Sequence, residues 1–304
     1  MEYLLISLAV ACFAAQFAFT KLYESAAGQT GTASLIMLVG TSLVGALIFF
    51  GVGGFSVSFS RISTIWAAIF AVIMIPYYLI GIKVLSLGSL AIYSMFMMLG
   101  GMLVPFFYGV WFLKESVSAA QVIGTVLLTG FIMLQAISQS DSNTERVETQ
   151  STRKKLIFFT LCLVIFFLNG LTGVIVKKHQ ISEGAVDEVS FTIISCALTA
   201  IFSLILLVFD LFRNGKEKRQ QLMAALKIKP LWIIALLGVA THTGNFLHLL
   251  AANDVPASVQ FPLVSGGVIV LSALVSLLAF KEKLSAKEWI SIGGAFLSTV
   301  LFAF

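Results

Sequence analysis

Long apolar runs, separated by short polar connectors, follow each other along the whole chain. A helix needs roughly 20 apolar residues to cross a bilayer core of about 30 Å. Ten runs approach that length, and they lack the alternation of apolar and polar residues that a membrane barrel strand shows. The ten segments are approximately 3–21, 32–53, 63–83, 88–113, 119–138, 154–177, 188–211, 230–251, 256–280 and 286–304. The pattern predicts an all-α integral membrane protein with ten transmembrane helices.

The composition supports a membrane protein and argues against a soluble one. Hydrophobic residues make up 59% of the chain, charged residues make up 11%, and the mean hydropathy is +1.02. A soluble domain carries about 25% charged residues. The net charge of +5 lies in the connectors, as is typical of residues that flank membrane helices. Cys12, Cys162 and Cys196 lie inside apolar runs, without the spacing of a disulfide framework or a metal site.

One long polar segment interrupts the pattern at the midpoint of the chain. Residues 139–153 read SQSDSNTERVETQST, which is the composition of a flexible linker. The sequence therefore predicts a first five-helix repeat over residues 1–138 and a second over residues 154–304. The other long connector, residues 212–229, is basic and is compatible with a short helix at the membrane surface.

A short motif recurs in the two halves. KESVSAA in the first half returns as KEKLSAK at an offset of 167, which aligns Glu115 with Glu282 and Ser118 with Ser285. Each copy stands just before the last helix of its half. We interpret the two Glu residues as turn and cap residues, and Asp254 as the cap of the ninth helix. Because five is odd, the second half enters the membrane from the opposite side. The prediction is two inverted five-helix repeats, as in many secondary transporters.

Lysine and arginine are distributed unevenly between the connectors. With ten crossings, the odd-numbered connectors carry 15 of the 19 Lys and Arg residues, and the even-numbered ones carry the other four. Positive charge marks the cytoplasmic side of a membrane protein. The bias predicts that both termini lie outside and that the linker lies inside.

Two longer segments resemble a known family. They are FYGVWFLKESVSAAQVIGTVLLTGFIML (107–134) and VSLLAFKEKLSAKEWISIGGAFLSTVLF (275–302), each with a Glu at a turn, a Ser three residues on and a Gly-containing last helix. The first helix of each half ends in Lys, and the fourth helices contain Pro105, Pro256 and Pro262. In these features the chain resembles the ten-helix EamA-type members of the drug/metabolite transporter superfamily. The resemblance implies a carrier whose first, third and fourth helices of each half line a central cavity. The charge bias departs from the family's usual cytoplasmic termini.

Polar residues inside the apolar runs are the candidates for a binding site, because an unpaired polar group is costly in a membrane. None of the 14 Asp and Glu residues lies in the middle of a predicted helix. Small four-helix relatives of the family carry an acidic residue in the first helix for proton coupling, whereas this chain has Gln16 there. By the resemblance, the candidate cavity residues are Gln16, Tyr77, Tyr78, Tyr93, Asn169, Thr172, His242, Asn245, His248 and Gln260.

The densest group of candidates lies in the segment THTGNFLH, where His242, Asn245 and His248 are three residues apart. Each is displaced by about 60° from the next around a helix, so the three share one broad face. That face is interpreted as the lining of a watery cavity; alternatively, each side chain bonds a neighbouring helix and holds the bundle together. A histidine here would also couple transport to protons, because its charge changes near neutral pH. No metal site is expected, because the two His residues are six apart without a third ligand nearby.

These features favour a secondary carrier for a small neutral or zwitterionic organic metabolite, such as an amino acid or a related compound, working by alternating access. The alternatives are a channel and a non-transporting membrane scaffold. No Walker, HExxH or GxSxG motif is present, so no catalytic residue or cofactor is assigned. The expected partners are the bilayer and a solute, not nucleic acid, and a homodimer stays open. The lack of glycosylation acceptors and of an organelle-targeting tail favours a bacterial plasma (inner) membrane.

Overall fold

The chain folds into α-helices joined by short connectors. The computed structural model describes residues 2–28, 30–87, 90–141, 152–279 and 285–303, which form ten α-helices and a 3-10 helix at Leu301–Ala303. The α-helices are α1 (Glu2–Ala27), α2 (Gly31–Val52), α3 (Arg61–Leu87), α4 (Leu90–Phe112), α5 (Ala119–Asp141), α6 (Thr152–Gln180), α7 (Glu188–Ala225), α8 (Ile228–Ala251), α9 (Ala257–Ala279) and α10 (Ala286–Val300). No strand occurs within the described ranges, so the all-α prediction is confirmed for them.

Eight of the described helices are long and apolar enough to cross a membrane. Their apolar spans are Glu2–Ala27, Gly31–Val52, Arg61–Gly81, Met95–Phe112, Leu156–Gln180, Glu188–Arg213, Ile228–Ala251 and Ala257–Val275. These are the spans of a multi-pass membrane protein. The apolar part of α5, Ala119–Leu134, is shorter because the end of that helix is polar, and α10 has only 15 residues. The predicted count of ten membrane crossings is therefore not confirmed.

Two compact units make up the chain, and each combines residues from before and after its midpoint. Unit 1 comprises Met1–Ala14, Lys83–Val174 and Ala251–Phe304, and unit 2 comprises Ala15–Ile82 and Ile175–Leu250. The division into two sequence halves stays a prediction. Helices α5 and α6 reach into the predicted linker, residues 139–153, from its two sides, and the rest of the linker lies outside the described residues.

Unit 2 is built on close packing of α2 against α7 and α8. Helix α2 runs along α7, and its glycines let α8 approach. A Cβ added to Gly40 would overlap Ile234, and one added to Gly45 would overlap the ring of His242. A buried apolar cluster around Tyr23, which is 1% exposed, joins α1, α2, α7 and α8. Small residues at helix interfaces permit this close approach in membranes.

Unit 1 is organised around four helices. Helix α4 packs on α9 and α5 packs on α10, while the pairs α4–α5 and α9–α10 also contact each other. A Cβ added to Gly100 of α4 would overlap the main-chain oxygen of Phe166 in α6. A Cβ added to Gly294 of α10 would likewise overlap the ring of Phe131 in α5. Glycines thus set the distance between helices in this unit as well.

The repeated motif forms the same cap in both halves. Before α5, the Ser118 hydroxyl accepts the N–H of Gln121 at 3.2 Å, and the Gln121 side-chain oxygen accepts the N–H of Ser118 at 3.1 Å. Before α10, Ser285 and Glu288 form the same reciprocal pair at 3.3 and 2.7 Å. Each arrangement is a capping box, which satisfies two N–H groups at the start of a helix.

Glu115 caps a helix far along the chain. Its two carboxylate oxygens accept the N–H groups of Ala257, at 3.1 Å, and Ser258, at 2.9 Å, at the start of α9. The interpretation of Glu115 as a cap residue is confirmed, while that of Asp254 as the cap of this helix is wrong. The reason is that the connector between α4 and α5 delivers a carboxylate to these N–H groups. Glu282 lies outside the described residues.

Candidate binding site

The polar face predicted in THTGNFLH lies on α8, in unit 2. Helix α8 runs from Ile228 to Ala251, so its three predicted face residues follow each other at less than one turn. His242 and His248 are half-buried, and Asn245 between them is exposed. The three residues therefore share a helix but meet different surroundings.

His242 lies at a junction of three helices. Its Nδ1 is 3.3 Å from the Sγ of Cys196 in α7, a distance at which an imidazole and a thiol form a hydrogen bond. Its ring also fills the space in front of Gly45 in α2. These are the contacts of a side chain that holds neighbouring helices together. His242 therefore contacts neighbouring helices in the way that the second interpretation of this segment described.

Asn245 is exposed although it belongs to a membrane-spanning helix. It lies six residues before the end of α8, which places it about 9 Å along the axis from that end. Its amide offers two N–H donors and one acceptor oxygen, none of which lipid tails can satisfy. Exposure at this position is favourable only where water, another polar group or a solute meets the amide.

Two contacts hold the end of α8 in place. The ring of Phe246 packs on that of Phe49 in α2, with centroids 4.8 Å apart. The Gln180 side chain, at the end of α6, donates from Nε2 to the main-chain oxygen of Leu249 at 2.9 Å. Because both contacts lie within four residues after Asn245, they fix the rotation of this part of α8 and the direction of its exposed amide.

The other unit 2 candidates lie on α1 and α3. Tyr77 and Tyr78 pack edge to face, with ring centroids 5.3 Å apart. Tyr78 also packs against the buried cluster around Tyr23, and so it contributes to the core of unit 2. Gln16 is half-buried, and its main-chain oxygen accepts the hydroxyl of Thr20 at 2.9 Å.

The remaining four candidates lie in unit 1. The Asn169 amide of α6 donates from Nδ2 to the main-chain oxygen of Met97 in α4 at 2.7 Å. The Thr172 hydroxyl donates to the main-chain oxygen of Asn169 at 2.6 Å. Gln260 is fully buried in α9, and Tyr93 is half-buried in α4. Asn169 therefore connects α6 to α4 by a hydrogen bond, in addition to any contact with a solute.

The structure distributes the candidates over both units. Those in unit 2 are Gln16, Tyr77, Tyr78, His242, Asn245 and His248, and those in unit 1 are Tyr93, Asn169, Thr172 and Gln260. The contacts described above join Tyr77 to Tyr78 and Asn169 to Thr172. A common cavity for all ten stays a prediction.

A third histidine, His179, joins three helices, and the sequence reasoning missed it. His179, at the end of α6, is buried, its Nε2 lies 3.0 Å from the Ser63 hydroxyl, and its ring stacks on Phe191 at 3.7 Å. The Ser63 hydroxyl also accepts the N–H of Val186 at 2.9 Å. His179 thus fastens the starts of α3 and α7 to the end of α6. In the sequence it stands in KKHQ, where it resembles one more membrane-flanking cation.

Asp187 is the N-cap residue of α7. Its carboxylate accepts the N–H of Ser190 at 2.9 Å, and the Ser190 hydroxyl in turn accepts the N–H of Ser58 at 3.0 Å. Desolvation raises the pKa of the Asp187 carboxyl, but its hydrogen bonds with Ser190 and nearby N–H groups outweigh that effect. The net result is a pKa below the ordinary value of 3.8. The cap is therefore charged at neutral pH.

A cavity of about 400 Å³ lies in unit 1, where α1, α5 and α9 begin. It is lined by Glu2, Tyr3, Ser116, Gln121, Asp254, Val255, Pro256, Val259 and Phe302. None of the ten candidate residues belongs to this lining. Within the described ranges, no group of three His, Cys, Asp or Glu side chains is arranged to hold a metal ion.

Comparison with known proteins shows the fold alone. No protein-family model and no curated protein matches this chain. Twenty-eight solved chains match it. One is the crystal structure of a protein 13% identical to this chain, and the match covers 99% of this chain and 95% of the other with a TM-score of 0.67. The all-helical architecture is thus shared almost end to end with a solved protein.

Proposed function

We propose that the chain is a secondary carrier of the EamA type, from the drug/metabolite transporter superfamily, with ten crossings in two inverted five-helix repeats. The observation that carries the proposal is the pairing of equivalent helices. Helices α4 and α9 are separated by 167 residues at both ends, and α5 and α10 begin at the same offset. The equivalent partners α2 and α7, α4 and α9, and α5 and α10 pack on each other. Such pairing is the internal symmetry on which alternating access by rocking repeats depends.

The cavity in unit 1 supports ten crossings. Its lining brings together Glu2 near the start of the chain, Ser116 between α4 and α5, Asp254 between α8 and α9, and Phe302 at the end. If all ten helices cross the membrane, these four positions fall on the same side. The short helices α5 and α10 are therefore proposed to cross as well. From the Lys and Arg bias we propose that this side faces the outside of a bacterial plasma membrane.

The chemistry of the candidate residues favours an uncharged or zwitterionic solute. Amide, phenol, hydroxyl and imidazole groups exchange hydrogen bonds with amino and carboxyl groups without adding a net charge. A phosphorylated solute would instead call for Lys or Arg in the cavity. We infer that a small metabolite such as an amino acid meets Asn245, whose exposed amide needs a polar partner at its depth in α8.

Counterflow in proteoliposomes tests the carrier. Vesicles loaded with one unlabelled amino acid at a time should take up the labelled compound in a saturable way for at least one member of a panel of amino acids. Asn245→Leu keeps the volume but removes the hydrogen bonds, so it should raise KM or abolish uptake. Asn253→Leu, an exposed asparagine in the turn after α8, is the matched control and should transport normally. Flux that does not saturate indicates a channel, and no flux with any solute indicates a scaffold.

Proton coupling has its own test. Replacing His242 and His248 together by Gln keeps a hydrogen-bonding side chain but removes the group that titrates near neutral pH. If protons couple through them, the double variant should lose the pH dependence of uptake. A pH profile identical to that of the wild type rules out coupling by these two residues.

A further inference from the structure

The last part of α7 bends away from its membrane-spanning part at Gly215. The apolar span of α7 is Glu188–Arg213, and that of α8 begins at Ile228. Gly215 has φ 47° and ψ −124°, a conformation that favours glycine, and a further helical stretch follows it. Because the first span ends and the next begins at the same membrane boundary, the residues between them are held beside it. We call residues 213–229 the basic surface segment.

One face of the basic surface segment packs on unit 2. Leu222 contacts the buried cluster around Tyr23, and Ala225 is fully buried. Lys218, one turn before Leu222, pairs with Asp210, with Nζ 3.1 Å from Oδ2. These positions recur at helical spacing, which defines the inner face of the segment and leaves the opposite face outward.

The outward face is both cationic and apolar. Arg219 and Met223, one turn apart, are both exposed, and Lys227 is exposed in the turn that leads to α8. Met223 and Leu226, which lie between the two membrane spans, are 66% and 47% exposed. The exposed cations of the segment are Arg213, Arg219, Lys227 and Lys229. Apolar side chains and cations are thus interleaved on one surface, as in helices that lie in the membrane interface.

We propose that the basic surface segment binds the headgroups of anionic phospholipids. Its apolar side chains enter the acyl boundary, while its Arg and Lys side chains reach the phosphate groups above it. Arginine adds a geometric match, because its guanidinium donates two parallel hydrogen bonds to a phosphate. A soluble polyanion would satisfy the cations but would leave Met223 and Leu226, which lie between the two spans, in water, so the interleaving favours a lipid. The segment should prefer lipids with a net negative headgroup. In a zwitterionic lipid, the headgroup's own cation already neutralises the phosphate and repels Arg and Lys.

The preference for anionic lipids is measured by counting the lipids that stay bound to the purified protein. The full-length protein is reconstituted with equal amounts of phosphatidylglycerol and phosphatidylcholine and re-extracted, and the lipids that stay bound are counted by mass spectrometry. The wild type should retain phosphatidylglycerol in excess of the starting ratio. The double variant Arg219→Gln with Lys227→Gln should reduce that excess by about fivefold for each charge removed. The control is Arg153→Gln with Lys154→Gln, which removes two exposed cations at the start of α6.

The outcomes separate the proposal from its competitors. The control pair should retain phosphatidylglycerol like the wild type, and the melting temperatures of both variants should match that of the wild type, since all four side chains are exposed. Equal loss in the two variants means a general charge effect and overturns a specific surface. Equal retention of both lipids by the wild type also overturns the proposal. Displacement of bound phosphatidylglycerol by millimolar inorganic phosphate assigns the segment to a free anion instead.

Discussion

Replacing Glu115 by Ala should lower the stability of the whole protein, because it removes a cap that no neighbouring side chain replaces. Ala257 and Ser258 are fully buried, and the Glu115 carboxylate accepts both of their N–H groups. A buried donor left without a partner costs about 1–3 kcal/mol. Two such donors amount to roughly 2–6 kcal/mol.

The assay is thermal unfolding of the detergent-solubilised protein at one fixed scan rate, because membrane proteins unfold irreversibly on heating. A loss of 1 kcal/mol shifts Tm by about 2 °C in chains of this size, so Glu115→Ala should lower Tm by roughly 4–12 °C. Glu115→Gln keeps one acceptor oxygen and should show about half of that shift. Glu183→Ala, an exposed glutamate between α6 and α7, is the matched control and should leave Tm unchanged.

Gly109 provides an independent test of the same contact. A Cβ added there would overlap Oε2 of Glu115, so Gly109→Ala should displace the carboxylate and lower Tm as well. Because both changes break one interaction, the double variant with Glu115→Ala should lose less than the sum of the two. The reasoning is refuted if Glu115→Ala melts like Glu183→Ala, or if the two losses simply add.

Three further predictions concern stability. Gly100→Ala forces a methyl group onto the main chain of α6 and should abolish folded protein in size-exclusion chromatography, whereas Gly130→Ala, with open space around it, should leave the yield unchanged. Asp187→Asn should lower Tm at pH 7. Because folding lowers the pKa of Asp187 below 3.8, its contribution is complete well above that value, and the difference from wild type should shrink as the pH falls through the lowered pKa. Asn169→Ala should lower Tm by a few degrees, since an interhelical hydrogen bond in a membrane contributes about 0.6–1.7 kcal/mol; an unchanged Tm would show that the bond contributes nothing.

The positions of the helices could be predicted from the sequence, because they depend on the length of each apolar run and on capping residues close to its ends. KESVSAA and KEKLSAK were recognised as a repeat, and both contain the Ser that starts a capping box. The seventh apolar run was predicted to end at residue 211, and the membrane-spanning part of α7 ends close by, at Arg213. The helical stretch after Gly215 agrees with the short surface helix that the sequence allowed in residues 212–229, where Lys, Glu, Gln, Leu, Met and Ala are good helix formers.

The candidate site was less predictable, since it depends on which helices are neighbours. Spacing alone placed His242 and Asn245 on one helix, but the partner of His242 is Cys196 of another helix, 46 residues away. The error at Asp254 has the same origin. A local sequence rule selects the nearest acidic residue as a cap, whereas Glu115 reaches α9 from 142 residues away. No pattern within a single helix reveals either contact.

The distance in sequence between Glu115 and α9 also governs the order in which the protein assembles. The ribosome releases Glu115 long before it delivers Ala257, 142 residues later. During that interval the carboxylate has no amide to bind, and unit 1 lacks α9 and α10. The insertion machinery therefore meets a nascent chain whose first eight helices contain all of unit 2, while unit 1 is still open. Two fragments, residues 1–141 and 152–304, should accordingly need each other during synthesis, and neither should accumulate when it is expressed alone.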